Sequence, residues 1–88
     1  MVYLMIEPQQ AEAFQKRMNE QGWSLFFQDG GQSQFIGWAY MMKWEKTLED
    51  ERRAEVTLHY SDNHGELEAY LEMNPPAKPL MDALVAEL

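Results

Sequence analysis

Residues 54–73, AEVTLHYSDNHGELEAYLEM, alternate in polarity on both sides of a turn. One set of alternate positions is apolar: Val56, Leu58, Tyr60, Leu67, Ala69, Leu71 and Met73. The other set is rich in acids: Glu55, Thr57, His59, Glu66, Glu68, Tyr70 and Glu72. Alternation with period two around Asp62-Asn63-His64-Gly65 predicts a β-hairpin with one buried face and one acidic face turned to solvent.

The stretch before this hairpin, residues 38–55, is compatible with a strand or with a helix. If the stretch is a strand, a loop over residues 48–52 follows it. The strand then continues one apolar face, formed by Ile36, Trp38, Tyr40, Met42 and Trp44. A helix is favoured by intrinsic propensity and by a Glu49–Arg53 pair, but its apolar stripe runs into Arg52. We therefore prefer the strand. The helix would give a ferredoxin-like βαββαβ topology with an added strand.

Residues 23–38, WSLFFQDGGQSQFIGW, contain the pair Gly30-Gly31, which can supply the positive φ angles of a tight turn. A hairpin centred there brings similar side chains together: Leu25 with Ile36, Trp23 with Trp38, and Phe26 with Phe35. The first two pairs would lie on one face and the third on the other. The sequence therefore predicts strands over residues 23–29 and 34–46.

The two ends of the chain complete the set of elements. Residues 2–6, VYLMI, are all apolar and predict a strand buried on both faces, as in the interior of a sheet. Proline is well suited to the first turn of a helix, where its missing N–H has no partner in any case. Pro8 therefore predicts a helix over residues 8–21, and Pro79 predicts a helix over residues 79–87.

Together these elements predict an α+β fold for a single domain, residues 1–88. The fold is a two-layer sandwich with the order β-α-β-β-β-β-α, and its mostly antiparallel sheet has about five strands, near residues 2–6, 23–29, 34–46, 54–60 and 66–73. Both helices would cover one face, formed by Trp23, Leu25, Ile36, Trp38, Tyr40, Val56, Leu58, Leu67, Leu71 and Met73. The opposite face can remain exposed in this class.

Composition limits the classes of function. The 88 residues include no cysteine, which excludes disulfides and thiolate metal sites. Hydrophobic residues make up 45% of the chain, too many for a disordered acidic tail. No apolar run approaches the roughly 20 residues that span a membrane, and MVYLMI is too short for a signal peptide. We therefore expect a cytoplasmic protein.

The net charge is −8 and is uneven along the chain. Residues 1–40 hold four acids and two bases (−2), whereas residues 41–88 hold eleven acids and five bases (−6). Direct binding to nucleic acid or to an anionic membrane is disfavoured, because both depend on Lys and Arg. The charge favours a protein partner with a basic surface, such as a nucleic-acid-binding protein, although acidity also serves solubility.

The exposed sheet face is the predicted partner-binding site. It combines aromatic and Met residues with a border of acids, as protein-binding surfaces do: Phe26, Phe35, Met41, Glu55, Glu66, Glu68, Tyr70 and Glu72. In a register with Leu58 opposite Leu67 or Ala69, the four glutamates crowd one surface. Such carboxylates could compete with phosphates for Arg and Lys on a nucleic-acid-binding protein. The same patch could also be ordinary core or a homodimer interface.

Motifs for chemistry do not stand out. The residues near the hairpin turn that could ligate a metal match no known spacing: His59, Asp62, His64 and Glu66. The segment Asp29-Gly30-Gly31-Gln32 is too short for a phosphate loop, and no Ser or Thr lies in a nucleophile motif. We therefore expect no metal, no cofactor and no catalytic activity.

In size, acidity and lack of cysteine, the chain is similar to phage-encoded inhibitors, including anti-CRISPR proteins and other DNA mimics. No motif carries this similarity to one family. It implies a small protein-binding module that docks on a basic surface of a partner as an inhibitor or modulator, with mimicry of nucleic acid as one form of this. The alternative is a structural or regulatory homodimer that associates through the Phe26/Phe35 face or through an edge strand at residues 66–73.

Overall fold

A computed structural model describes residues 1–33 and 37–88, with only the backbone described at residues 31–33 and 37. Within these residues, five strands form one sheet in which every neighbouring pair is antiparallel. The strands are β1 (Val2–Met5), β2 (Ser24–Ser33), β3 (Gly37–Thr47), β4 (Arg53–Asn63) and β5 (Glu66–Met73), and the helices are α1 (Ala11–Glu20) and α2 (Lys78–Ala86). Short 3-10 turns at Pro8–Gln10 and Pro75–Ala77 precede the helices. The predicted α+β fold and its element order are confirmed.

The ambiguous stretch after Trp38 is a strand. β3 continues to Thr47, and residues 48–52 connect it to β4, so the preferred interpretation is confirmed and the ferredoxin-like alternative is wrong. Met42 and Trp44 are both buried, as the period of two requires. The packing of these two side chains outweighs the helical propensity of the segment.

The order of strands in the sheet is β1-β5-β4-β3-β2. β1 pairs with β5 alone and is therefore an edge strand, with Tyr3 and Met5 exposed, so the prediction of an interior strand is wrong. β5 lies between β1 and β4, so the prediction that residues 66–73 form an edge is also wrong. A strand made only of apolar residues can therefore lie at the edge of a sheet. In β1, the side chains on one face belong to an exposed apolar patch.

The hairpin of β4 and β5 is closed by a two-residue turn. Asn63 pairs with Glu66, and His64 and Gly65 between them have φ angles of 55° and 97°. Two consecutive positive φ angles are the requirement of a type I′ turn, whose twist matches that of the strands. The predicted hairpin is confirmed, but its register differs. Because the loop is shorter than predicted, Leu58 lies opposite Leu71.

The hairpin of β2 and β3 differs more from expectation. Gly30 lies within β2 and pairs with Tyr40, so the predicted turn at Gly30-Gly31 is wrong. A Cβ atom at position 30 would lie 2.5 Å from the Cβ of Tyr40, which explains the glycine by close approach of the two strands. The connection falls on residues 34–36, outside the described residues, as do the predicted positions of Phe35 and Ile36.

A β-bulge at Phe26 also shifts the register of β2. Leu25 pairs with Trp44 and Phe27 pairs with Lys43, which leaves Phe26 as an extra residue between consecutive pairs. Phe27 therefore lies on the face opposite to Leu25, whereas strict alternation would place the two together. The predicted pairing of Leu25 with residue 36 is wrong mainly because β2 continues past Gly30-Gly31 to Ser33, which moves the partner of Leu25 to Trp44.

The core lies between the helices and one face of the sheet. Its fully buried large side chains come from α1, α2 and the three central strands: Phe14, Met18, Trp44, Val56, Leu58, Leu71, Met73, Met81 and Leu84. Phe14 and Trp44 meet edge to face, with ring centroids 5.5 Å apart. This arrangement stabilises the fold by about 0.5–1.5 kcal/mol beyond the area that the rings bury.

The helices cover only part of this face. α1 has ten residues and is about 15 Å long, whereas β3 and β4 have eleven residues each and extend about 36 Å. Trp38 and Leu67, both predicted in the core, lie beyond the helices and are 48% and 50% exposed. Leu25, also predicted in the core, is exposed on the edge strand. The other predicted core residues that are described lie at least partly buried: Trp23, Tyr40, Val56, Leu58, Leu71 and Met73.

Candidate protein-binding face

The sheet face opposite the helices is called the open face here. Strand register places on it alternate residues of all five strands, which include Tyr3, Met5, Phe27, Asp29, Ala39, Lys43, Glu45, Thr57, His59 and Ser61. Seven of the eight predicted site residues lie on the same face: Phe26, Met41, Glu55, Glu66, Glu68, Tyr70 and Glu72. Phe35, the eighth, lies outside the described residues.

An aromatic row crosses three strands of the open face. The Tyr70 ring stacks on the His59 ring, with centroids 4.5 Å apart and 12° between the planes. Tyr3 on β1 meets Tyr70 from the other side, with centroids 6.2 Å apart. Cross-strand aromatic pairs of this kind stabilise a sheet and hold their side chains in place. The contacts between these rings therefore help to fix the positions of the three side chains on the open face.

Near the β3–β4 loop, the acids of the open face are neutralised within the chain. Glu45 and Glu55 lie directly opposite each other on β3 and β4, an unfavourable arrangement for two like charges. Arg53 forms ion pairs with both of them, and its Nη2 lies 3.2 Å from Glu55 Oε1. The same guanidinium lies over the Phe26 ring, 5.8 Å from its centroid. These interactions explain how the sheet tolerates the facing acids.

Glu72, in the middle of β5, also has a partner. Its Oε1 lies 3.1 Å from His59 Nε2. Glu66 and Glu68 differ, because neither forms an ion pair with any residue in the described part of the chain. Both are exposed, toward the turn of the β4–β5 hairpin.

The four predicted glutamates therefore do not form one cluster. Glu66 lies opposite Asn63, which is eight residues along β4 from Glu55 and so about 26 Å away. The aromatic row lies between the two groups. All four glutamates lie on the open face, as predicted, but they are spread along the length of the hairpin and not gathered at one place.

Two shallow hollows lie on the open face. The first, called the Phe26 hollow, has a volume of about 270 Å³ and is lined by residues that include Phe26, Met41, Lys43, Glu55, Thr57 and Glu72. The second, called the Glu68 hollow, has a volume of about 400 Å³ and is lined by residues that include Asp29, Ala39, His59, Ser61, Glu68 and Tyr70. Ala39 and Ser61 pair across β3 and β4, and their small side chains create the second depression.

The sequence missed several exposed residues of the open face. Phe27 was hidden by the bulge, although three consecutive apolar residues in a strand are a signal of broken alternation. Tyr3 and Met5 were hidden by the interpretation of β1 as an interior strand. Asp29 was placed at the end of a strand, next to a turn predicted at the glycines that follow it, whereas β2 continues to Ser33. Each error concerns strand placement and not the chemical character of the side chain.

His, Asp and Glu side chains, which could ligate a metal, are scattered over the described part of the chain. No group of three His, Asp or Glu residues there could hold a metal ion. The pKa values that are shifted lie away from the open face. Burial and the neighbouring Tyr60 raise the pKa of Tyr40, and the backbone N–H of Arg52 lowers the pKa of Asp50.

Among the described residues, no helix is long and apolar enough to cross a membrane. No protein-family model, no curated protein and no solved structure matches the chain.

Proposed function

We propose that the chain is a non-enzymatic protein-binding module whose open face docks on a basic surface of a partner protein. The observation that supports this most is the pair Glu66 and Glu68, two exposed carboxylates without an ion pair in the described residues, next to the aromatic row. Glu55, on the same face, is instead paired with Arg53 within the chain.

The charge of the open face fits a basic partner. It carries six acids and two bases, so its net charge is −4, half of the −8 of the whole chain: Asp29, Glu45, Glu55, Glu66, Glu68 and Glu72 against Lys43 and Arg53. Complementary charge increases the rate at which partners meet and disfavours wrong partners. Binding should therefore weaken as salt is added.

The open face also supplies apolar contact area. Phe26 and Phe27, on the edge strand β2, are 48% and 41% exposed, and Met41 on β3 and Tyr70 on β5 are half-buried. Aromatic and Met side chains are enriched in the buried parts of protein interfaces. The acids of the same face would add charged contacts to this apolar area.

The Glu68 hollow suits a cationic side chain of the partner. Glu68 and Asp29 stand at its border, and the stacked rings of Tyr70 and His59 form a wall. An arginine can pair with a carboxylate through its planar fork and stack on an aromatic ring at the same time. We propose that one Arg or Lys of the partner enters this hollow.

Docking on the nucleic-acid-binding surface of its partner would make the chain an inhibitor or modulator. Mimicry of nucleic acid is the stricter version of this idea, because it needs a regular row of carboxylates in place of phosphates. The separation of Glu55 from Glu66 favours docking by shape and charge over mimicry.

The experiment compares two charge-reversed double variants. Glu66→Lys with Glu68→Lys alters the open face, and Glu12→Lys with Glu49→Lys alters exposed acids on α1 and in the β3–β4 loop. Each double changes the net charge from −8 to −4, so a general effect of charge would act equally on both. The partner is first identified by affinity capture from the host and is then purified and titrated at low and high salt.

We expect the open-face double to lose about tenfold or more in affinity at low salt, and the control double to lose much less. Equal losses in the two doubles, or wild-type affinity in the open-face double, would refute docking through this face. Glu55 and Glu72 are poor choices for this test, because Arg53 and His59 bind them within the chain.

A further inference from the structure

We infer that the free edge of β2 pairs with β2 of a second copy of this chain. The two five-stranded sheets would then form one continuous sheet around a two-fold axis. This interface shares Phe26, Phe27 and Asp29 with the open face, but it can be tested separately, because Glu66 and Glu68 lie on β5, three strands away from the β2 edge.

The first argument concerns backbone hydrogen bonds. In the part of the chain that the structure describes, β2 pairs with β3 alone, so the other side of this ten-residue strand presents N–H and C=O groups without a partner strand over about 33 Å. Such an edge is a template for pairing with another strand. The opposite edge, β1, has only four residues and is a much smaller template.

The second argument concerns the side chains of this edge. Leu25, Phe26 and Phe27 are consecutive and all more than 40% exposed. Proteins that keep an edge strand solitary usually place Lys or Pro on it or make it short. β2 has neither residue, and its bulge is confined to one end, at Phe26.

The third argument identifies a second copy as the occupant. Two chains of net charge −8 repel each other, so self-association is least opposed where charge is scarce. Charged residues make up 25% of the chain, yet residues 22–37 contain only one, Asp29. A basic partner would instead be drawn to the acids of β4 and β5.

The few charges near the edge also fit a two-fold pairing. In an antiparallel register centred on Gln28, Phe27 lies opposite Asp29 of the partner subunit. Lys43 pairs with Phe27 across β3 and β2, and its Nζ lies over the Phe27 ring, 5.1 Å from the centroid. From there the ammonium group extends across Phe27 toward Asp29 of the partner subunit. The two-fold axis makes this ion pair twice.

Cysteine cross-linking tests this register, because the chain has no cysteine of its own. Residues directly opposite in an antiparallel pair have Cα atoms about 4.5–5.5 Å apart, within the range that a disulfide bridges. Gln28→Cys should therefore oxidise to a covalent dimer in mild conditions. Asn19→Cys, equally exposed on α1, is the matched control and should stay largely monomeric.

A charge exchange tests the ion pair. Light scattering of the wild type should give twice the chain mass of 10.4 kDa at micromolar concentration. Lys43→Glu or Asp29→Lys alone should raise the dimer dissociation constant about tenfold, and the two changes together should restore it.

Two results would overturn the inference. One is a wild type that stays monomeric up to millimolar concentration. The β2 edge would then be available to pair with a strand of another protein and not with a second copy. The other is equal cross-linking of Gln28→Cys and Asn19→Cys. Neither result bears on the proposed function, because binding of a basic partner is measured with the Glu66 and Glu68 variants in a separate titration.

Discussion

His59 and Tyr70 lie directly opposite each other on β4 and β5, and their rings stack with centroids 4.5 Å apart. The same imidazole lies 3.1 Å from the carboxylate of Glu72, which is two residues beyond Tyr70 on β5. His59 is therefore held by a ring on one side and a carboxylate on the other. This small network fixes the centre of the open face without help from the helices.

The stacked pair should show a measurable coupling energy. In a double-mutant cycle, His59→Ala and Tyr70→Ala should be coupled by about 0.5–1 kcal/mol, because each single change removes the same contact. The measurement is the free energy of unfolding in urea. As a control, His59→Ala and Gln9→Ala should be additive within about 0.5 kcal/mol, since Gln9 lies in the 3-10 turn before α1. A coupling of zero for the first pair would contradict the prediction.

Gly30→Ala should destabilise the fold by about 1–3 kcal/mol. The added Cβ would meet the Cβ of Tyr40 at 2.5 Å and its Cα at 3.1 Å, so the two strands would have to separate. Gln28→Ala, on the same strand and exposed, should change the free energy of unfolding by less than about 0.5 kcal/mol. Chemical denaturation checks both. If Gly30→Ala were as stable as the wild type, the close approach of β2 and β3 would be incorrect.

Asn74 continues the ladder between β4 and β5 after the last strand residue. Its side chain accepts a hydrogen bond from the Glu55 N–H (3.0 Å) and donates one to the Arg53 carbonyl (2.8 Å). Asn74→Ala should lower the free energy of unfolding by about 1–2 kcal/mol. Asn74→Asp should cost more, because a carboxylate cannot donate to that carbonyl.

The control for this pair is Asn19→Ala, an exposed change on α1 that should cost less than about 0.5 kcal/mol. Thermal or urea unfolding of the three variants gives the ranking. An Asn74→Asp variant more stable than Asn74→Ala would show that the donated hydrogen bond is not formed.

Tyr40 should make stability depend on pH in the alkaline range. Its pKa is raised above 10.0, first by burial and then by Tyr60, so the folded state keeps the phenol neutral longer than the unfolded state does. The contribution is complete below pH 10 and is lost as pH rises through the folded-state pKa. Tyr40→Phe should therefore lose less stability than the wild type between neutral and alkaline pH. Parallel pH profiles of the two proteins would contradict the raised pKa.

Sequence patterns were most informative where each residue had a single role. The β4–β5 hairpin followed from alternation, and its turn from Gly65, because one face is buried and the turn needs positive φ. The choice of a strand over residues 38–47 was also correct. There, the period of the apolar residues outweighed helical propensity, as burial of Met42 and Trp44 outweighs a preference worth tenths of a kcal/mol per residue.

Patterns failed where one residue type serves two purposes. A pair of glycines can form a turn or allow two strands to approach, and at Gly30 the second purpose decides the register. An apolar strand can lie in the interior or at the edge of a sheet, and β1 lies at the edge. Trp38 and Leu67 are exposed because the helices are shorter than the strands that they cover. The alternation of residues within one strand cannot predict how far a helix from another part of the chain will cover it.

The sequence predicted which residues lie on the candidate face better than it predicted how far apart they are. Seven predicted residues do share the open face. Alternate residues of a strand point to the same face whichever partner residues they pair with, so an error in register leaves this prediction unchanged. The distances between residues on different strands do depend on the register. Glu55 and Glu66 share the face but lie about 26 Å apart, and of the four predicted glutamates Glu55 and Glu72 form ion pairs in the described residues whereas Glu66 and Glu68 do not.

The limited reach of the helices also bears on local unfolding. The molecule is 45 Å long and 24 Å wide, and the hairpin ends beyond α1 are held mainly by strand pairing. Amide hydrogens near Asp62 and Leu67 should therefore exchange with solvent through openings of low free energy, while those of Leu58 and Leu71 wait for global unfolding. The end of the β4–β5 hairpin could then change its conformation on binding a protein, while the part of the sheet that the helices cover keeps its structure.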